Sequence, residues 1–312
     1  MENKLIASVS PHIRSNTTTT TVMRDVLIAL LPAVIASVVI FGVKALLVEV
    51  FSVLCAMIFE WAFEKICNRE NTVGDLSAAV TGLLLALNCN VDIPLWQLAF
   101  GNLVAIIMVK QLFGGIGKNF ANPAITARVV MLIAFSGTMT TWTLPVKLQT
   151  ADAVTGPTPL TMLAKGITEG FPSHAQMFLG VHGGCMGETC ALALLIGGLY
   201  LIFRNVITWH TPVAFIGTVF VFTALIPGID PVTEILAGGL FLGAIFMATD
   251  YATTPSTPMG RIIFGIGCGL ITVLIRVWGN YPEGVSFSIL LMNIMTPFIS
   301  SWTRTKPLGG AR

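Results

Sequence analysis

An all-α integral membrane protein is the fold class that this sequence predicts, and three observations carry it. Hydrophobic residues make up 54% of the 312-residue chain and charged residues only 10%, with a mean hydropathy of +0.84, a balance outside the range of water-soluble domains. The apolar residues gather into runs approaching the roughly 20 residues that a helix needs to cross a bilayer. The basic residues sit at the edges of those runs instead of clustering, and the net charge is only +2, which excludes a nucleic-acid-binding surface.

The first twenty residues lack the apolar stretch of a secretory signal. Residues 1–23 are therefore expected to remain as a cytoplasmic tail, with insertion through the first hydrophobic helix. About ten spans follow, near 24–42, 44–62, 75–90, 94–111, 124–138, 187–203, 211–227, 233–248, 261–278 and 285–302. An even number leaves both termini, including the 304–312 tail, on one side. With the N-terminus inside, thirteen of the seventeen Lys and Arg residues fall on or near the cytoplasmic side, Lys110 and Arg128 among them. Only Lys44, Lys147, Lys165 and Arg276 fall outside, as the positive-inside rule favours.

Residues 139–186 carry no run of membrane length and are expected to form an ordered extracytoplasmic cap. They divide the chain into five-helix units, 24–138 and 187–303. An odd-numbered unit repeated once must lie upside down the second time, so inverted repeats are expected. A weak echo fits, since Leu85-Ala86-Leu87-Asn88 to Pro94 corresponds to Met247-Ala248-Thr249-Asp250 to Pro255. Interrupted helices that meet within the bundle would line a polar site, because broken backbone is tolerated only where protein or a cavity surrounds it.

Three stretches carry chemistry. In the outer loop, Asp152-Ala153-Val154-Thr155-Gly156-Pro157-Thr158 has the form Asp-x-x-Thr-Gly-x-Thr. Gly and Pro make it a turn, and it also resembles the signature recognised by flavin transferases, with Pro157 where Ala is common. The segment Lys110 to Ala124 contains Gly114, Gly115 and Gly117, then Asn119 and Asn122 before Pro123. It reads either as a tight helix-turn-helix or as paired amides suited to a flat heteroaromatic ring. Asp250 ends the eighth span and becomes a buried acid if that helix re-enters the bundle. Glu49 and Glu188 are candidates for a cation path, since an unpaired charge in hydrocarbon is costly, whereas Glu60 reads as a solvated or paired interfacial residue. The six cysteines and four histidines lack metal-ligand spacing, so no metal is expected.

Together with Ser10-Pro11-His12-Ile13, Gly183-Gly184-Cys185-Met186-Gly187-Glu188-Thr189 and Tyr281-Pro282-Glu283-Gly284-Val285-Ser286-Phe287, these stretches resemble one family of membrane flavoproteins. That family includes the D component of the Rnf complex, an ion-translocating ferredoxin:NAD oxidoreductase, and the B component of the sodium-translocating NADH:quinone reductase. The resemblance covers nearly the whole chain. It implies two inverted five-helix repeats in the bacterial inner membrane, and flavin mononucleotide (FMN) joined through its phosphate to Thr158, with Asp152, Thr155 and Gly156 as recognition residues. It further implies a non-covalent riboflavin nearer the cytoplasm beside Asn119, Asn122 and Asp250. The implied partners are the other Rnf subunits, among them an FMN-bearing subunit and iron–sulfur subunits, and a flavin transferase for maturation. The implied role is electron relay between ferredoxin and NAD chemistry on those subunits, coupled to Na+ or H+ export. A quinone-reductase component, or a solute channel with inverted repeats, is the competing reading.

Overall fold

The computed structural model describes residues 17–149, 155–167, 169–279 and 283–305; Asp152 lies outside the described residues. Among these residues the regular secondary structure is helical, apart from a single antiparallel bridge between Thr143 and Thr155.

The first half comprises α1 (Thr19–Phe41), α2 (Val43–Ile66), α3 (Ser77–Leu87), α4 (Leu95–Leu103), α5 (Pro123–Ala134) and α6 (Ser136–Met139). α4 runs on as a π-helical stretch, Val104–Gln111. The cap contributes α7 (Pro159–Ala164) and α8 (His174–Leu179). The second half contains α9 (Ala191–Phe203), α10 (His210–Ala224), α11 (Pro231–Leu236), α12 (Leu240–Leu242) with a π turn at Gly243–Met247, α13 (Pro258–Trp278) and α14 (Val285–Trp302).

Four of these helices, α1, α2, α13 and α14, are long and apolar enough to cross a membrane; the other apolar helices are shorter. α1 and α2 turn Ile35, Val39, Val43, Leu54 and Ile58 outward, each more than half exposed. A continuous apolar exterior of this kind is what a multi-pass membrane protein presents to lipid. The inner faces meet at small residues. A Cβ on Gly197 of α9 would lie 2.1 Å from the Ala29 carbonyl of α1, and one on Gly82 of α3 would lie 2.8 Å from the Ser52 carbonyl of α2. Without a hydrophobic force between helices in lipid, such backbone approach supplies the packing.

Each apolar run carries helix, but two expected spans are broken. Residues 233–248 divide at Ala237-Gly238-Gly239, where Gly238 adopts φ +68°. The carbonyls freed there do not go unpaired, because Arg276 of α13 donates to Glu234 O (2.5 Å) and Ala237 O (3.1 Å). Residues 124–138 break at Phe135, which separates α5 from α6. The starts of α5, α7, α11 and α13 share one device, a proline at the first helical position behind a side-chain cap, from Asn122, Thr158, Asp230 and Thr257 respectively. Proline lacks the N–H that would be orphaned there, and the cap accepts from the next ones.

Candidate functional site

Thr158 is the N-cap of α7. Its Oγ1 accepts from Thr161 N–H (3.2 Å) and lies 2.9 Å from Thr161 Oγ1. Two strands of loop hold it in place, since Thr143 pairs with Thr155 and Gly156 N–H donates to Trp142 O (3.0 Å). A Cβ on Gly156 would stand 2.9 Å from Leu144 Cδ2, so a side chain there would require Leu144 to shift. Thr155, Gly156 and Thr158 are thus brought together.

Thr158 opens on a cavity of about 390 Å³, with Trp142, Leu160 and Phe287 on its apolar side and Arg128, His182 and Glu188 on its polar side. That volume and that mixture are those of a small-molecule site. His182 places Nδ1 3.0 Å from Gly183 O, and burial pulls its pKa below the ordinary imidazole range. The ring is therefore neutral at pH 7.

Arg128 is the hub of the polar side. From the second turn of α5 it donates to Asn88 Oδ1 (2.6 Å), to Cys185 Sγ (3.3 Å) and to Glu283, and it stands 4.0 Å from Glu188. Glu188 in turn accepts from Cys185 N–H (3.1 Å) through Oε1. One guanidinium thereby ties the end of α3, α5, the loop before α9 and the start of α14. The charge rule counts Arg128 as a marker of the cytoplasmic edge. The structure corrects this, since its side chain is only 5% exposed and interacts with residues expected on the opposite side. Lys110, counted the same way, is also buried and carries no weight in the charge rule.

The interrupted helices do meet. Asn88 Nδ2, beyond the last turn of α3, donates to Leu84 O (2.7 Å) and lies 3.5 Å from Met247 Sδ, at the end of the second π turn.

Asn119, Asn122 and Asp250 line a second cavity, of about 100 Å³, together with Lys110, Ser77 and Tyr251. Their roles differ. Asn122 is a helix cap, accepting from Ala124 N–H (3.0 Å) and Ile125 N–H (3.3 Å) while donating to Met247 O (3.2 Å). Asp250 accepts from Thr253 Oγ1 (3.1 Å). Asn119 alone of the three keeps a buried atom, Oδ1, without a hydrogen-bond partner. The enclosed volume is below the roughly 300 Å³ of sites that engulf a whole ligand, so it accommodates the edge of a ring and not all of it.

Behind this cavity Lys110 Nζ donates to Glu60 Oε1 (2.5 Å) and Ser77 Oγ (2.6 Å), and Gln111 Nε2 donates to the same carboxylate oxygen (2.8 Å). Glu60 is fully buried and paired, not solvated. Glu49 is apart from both cavities: its Oε1 accepts from Ser37 Oγ (2.6 Å) between α1 and α2. Sequence reasoning missed Arg128, Lys110 and Glu283. The available signal was that each charge lies within or beside an apolar run opposite another lone charge.

The family model for the NQR2, RnfD, RnfE family matches residues 6–309. The chain belongs to this family. It is 46% identical over 99% of its length, and 96% of the relative's, to the D component of the Na(+)-translocating ferredoxin:NAD(+) oxidoreductase complex of Acetobacterium woodii. It is 41% identical over its full length, and 98% of the relative's, to the D component of the proton-translocating ferredoxin:NAD(+) oxidoreductase complex of Clostridium ljungdahlii. To the D component of the ion-translocating oxidoreductase complex of Halorhodospira halophila it is 36% identical, over 97% of this chain and 95% of that one.

The burial of Arg128 sets a stability test for this family member. Arg128→Leu strands Glu188 and Glu283 and should cost about 3–5 kcal/mol, read from denaturant unfolding in detergent micelles. A loss under 1 kcal/mol would show that the guanidinium is not the hub.

Proposed function

We propose that this chain is the flavin-carrying membrane component of an Rnf-type ion-translocating ferredoxin:NAD oxidoreductase. In this reading it relays electrons between redox partners and couples the transfer to Na+ or H+ movement. The observation that carries this reading is the Asp-x-x-Thr-Gly-x-Thr motif, whose Thr158 caps a helix at a ligand-sized cavity, in a chain related over nearly its whole length to RnfD proteins. The Thr158 hydroxyl would hold FMN as a phosphoester, and Trp142, Leu160 and Phe287 offer apolar surface for a ring. Bound flavin would supply one- and two-electron chemistry; the chain supplies position, potential and insulation. A flavin transferase, Asp152, Thr155 and Gly156 would serve maturation, and the other Rnf subunits, iron–sulfur and FMN-bearing, would be the electron partners.

We further propose ten spans in two inverted repeats, both termini in the cytoplasm of a bacterial inner membrane and the Thr158 loop outside. Arg24, Lys65, Arg69, Lys118, Arg204, Arg261 and Arg304 support this orientation after Lys110 and Arg128 are set aside. The Asn119 cavity then faces the cytoplasm. Its unpaired Oδ1 suits a ring N–H of a non-covalent riboflavin, with only the ring edge enclosed. Redox groups on opposite faces would make each electron cross the membrane field, a step of about 2.3 kcal/mol at 100 mV.

Three measurements test this. Thr158→Ala should abolish flavin fluorescence from the denatured polypeptide while leaving the chain in the membrane, and fluorescence that persists would refute the attachment. Lys165 is exposed on the cap, so in a Cys67→Ser background Lys165→Cys should react with an impermeant thiol reagent on intact cells. Reaction only after lysis would invert the topology. Asn119→Leu should release extractable riboflavin and keep the covalent flavin, because the α5 cap at Asn122 is untouched; full retention of riboflavin would place that site elsewhere.

A further inference from the structure

A third cavity, of about 150 Å³, lies between the start of α10, the loop after the second π turn and the first turn of α13. Its lining holds one cation, Arg261, and no acid. Asp250, in the same loop, lines the Asn119 cavity instead. Tyr251 and Val206 belong to both linings, and the Tyr251 hydroxyl donates to Val206 O, so this pair forms the wall between the two spaces.

Hydrogen-bond donors gather around this cavity with nothing to receive them. Arg261 donates through Nε to Pro255 O (3.2 Å) and through Nη1 to Thr208 Oγ1 (2.9 Å), which engages two of the five N–H donors of a guanidinium. Among the described residues no carboxylate pairs with it. Of the four threonines on the lining, Thr249 and Thr254 donate to backbone carbonyls, of Ile245 and Asp250. Thr208 accepts from Arg261, and its own O–H has no acceptor among the described residues. Thr211 is the sharper sign, because it is only 2% exposed and its hydroxyl has no hydrogen-bond partner among the described residues. It is the second residue of α10, whose N-terminus no side chain caps.

A buried hydroxyl without a partner is unfavourable, and a ligand that accepts its hydrogen bond removes the cost. A guanidinium, two hydroxyls and the positive end of a helix are all donors, so the ligand they suit is an anion rich in acceptors. The cavity is roughly ten times what one water needs and smaller than the roughly 300 Å³ of sites that engulf a whole ligand. It therefore admits a headgroup and leaves the remainder outside. Phe203, Trp209 and Met259, each more than half exposed, lie within two residues of Asn205, Thr208 and Arg261 on the lining, and tryptophan beside a basic residue is typical of the membrane interface. We propose that this cavity binds a phosphate group through Arg261, Thr208 and Thr211. The apolar surroundings make a phospholipid headgroup its source. The site depends on no flavin, either at Thr158 or beside Asn119.

The test is calorimetric titration of the full-length protein, delipidated in a non-ionic detergent, with short-chain phosphatidylglycerol and separately with inorganic phosphate. Phosphatidylglycerol should bind one molecule per chain. Arg261→Gln should weaken it by about tenfold or more, and Thr211→Val, which exchanges the hydroxyl for a methyl of the same shape, by several-fold, as the loss of one hydrogen bond requires. Inorganic phosphate that binds with the same dependence on both variants would uphold the phosphate site and make its source a soluble one. Failure of both probes to bind would overturn the proposal. So would an affinity unchanged in Thr211→Val, even where Arg261→Gln weakens it, because that result marks diffuse attraction to a surface charge and not a built cavity.

Discussion

A guanidinium buried in a protein whose solvent is lipid imposes the strictest condition on this fold. Arg128 leaves water only because Asn88, Cys185, Glu188 and Glu283 reach it from three different segments. Each of those segments is irregular backbone that hydrocarbon alone would not tolerate. The dependence is mutual: the loop before α9 and the start of α14 bring carboxyl groups inward because Arg128 is there. The end of α3 stops short because Asn88 both closes its own last turn and accepts from the guanidinium. Arg276 plays the same part on a smaller scale, satisfying the carbonyls that the break after α11 releases.

Between these polar joints the helices are held by close approach. Gly82 against α2, Gly197 against α1 and Gly265 against α10, where a Cβ would stand 2.9 Å from Thr211 O, bring backbones into contact that any side chain would separate. The close contacts lock the scaffold, and the cavities survive where cap and broken helices prevent such closure. Thr158 shows how local rules fix a site: Pro159 starts a helix, Thr158 caps it, and Gly156 permits the approach of Leu144, so the hydroxyl is set by backbone geometry.

The helical, membrane-embedded class was legible because hydropathy is additive along the chain, and every apolar run carries helix. The Thr158 motif was legible because its spacing is local. What the sequence hid is pairing at long range. Lys110 and Arg128 looked like edge markers, because an isolated basic residue near a span end usually is one; only the fold reveals Glu60 across from Lys110 and Glu283 across from Arg128. Asn122 looked like a ligand because amides bind rings, yet the adjacent Pro123 was the better clue, since Asn before Pro is a helix start. Glu49 and Glu188 read alike as lone acids. The structure separates them, one bonded to a serine between two helices and the other beside the Thr158 cavity.

The two cavities also differ in electrostatic character. Near Asn119 the buried Lys110 has Glu60 as its ion-pair partner, so this pair contributes no net charge. Near Thr158 the Arg128 guanidinium faces two carboxyl groups, Glu188 and Glu283, with Lys165 also on the lining, so the charges there are held by a network and not by one pair. Relatives of similar identity are named for sodium in one case and protons in another. Arg128 Nη1 stands 3.5 Å, Glu283 Oε1 2.9 Å and Glu188 Oε2 3.1 Å from the position a Cβ on Gly239 would take, so any side chain at Gly239 would push into the Arg128 network.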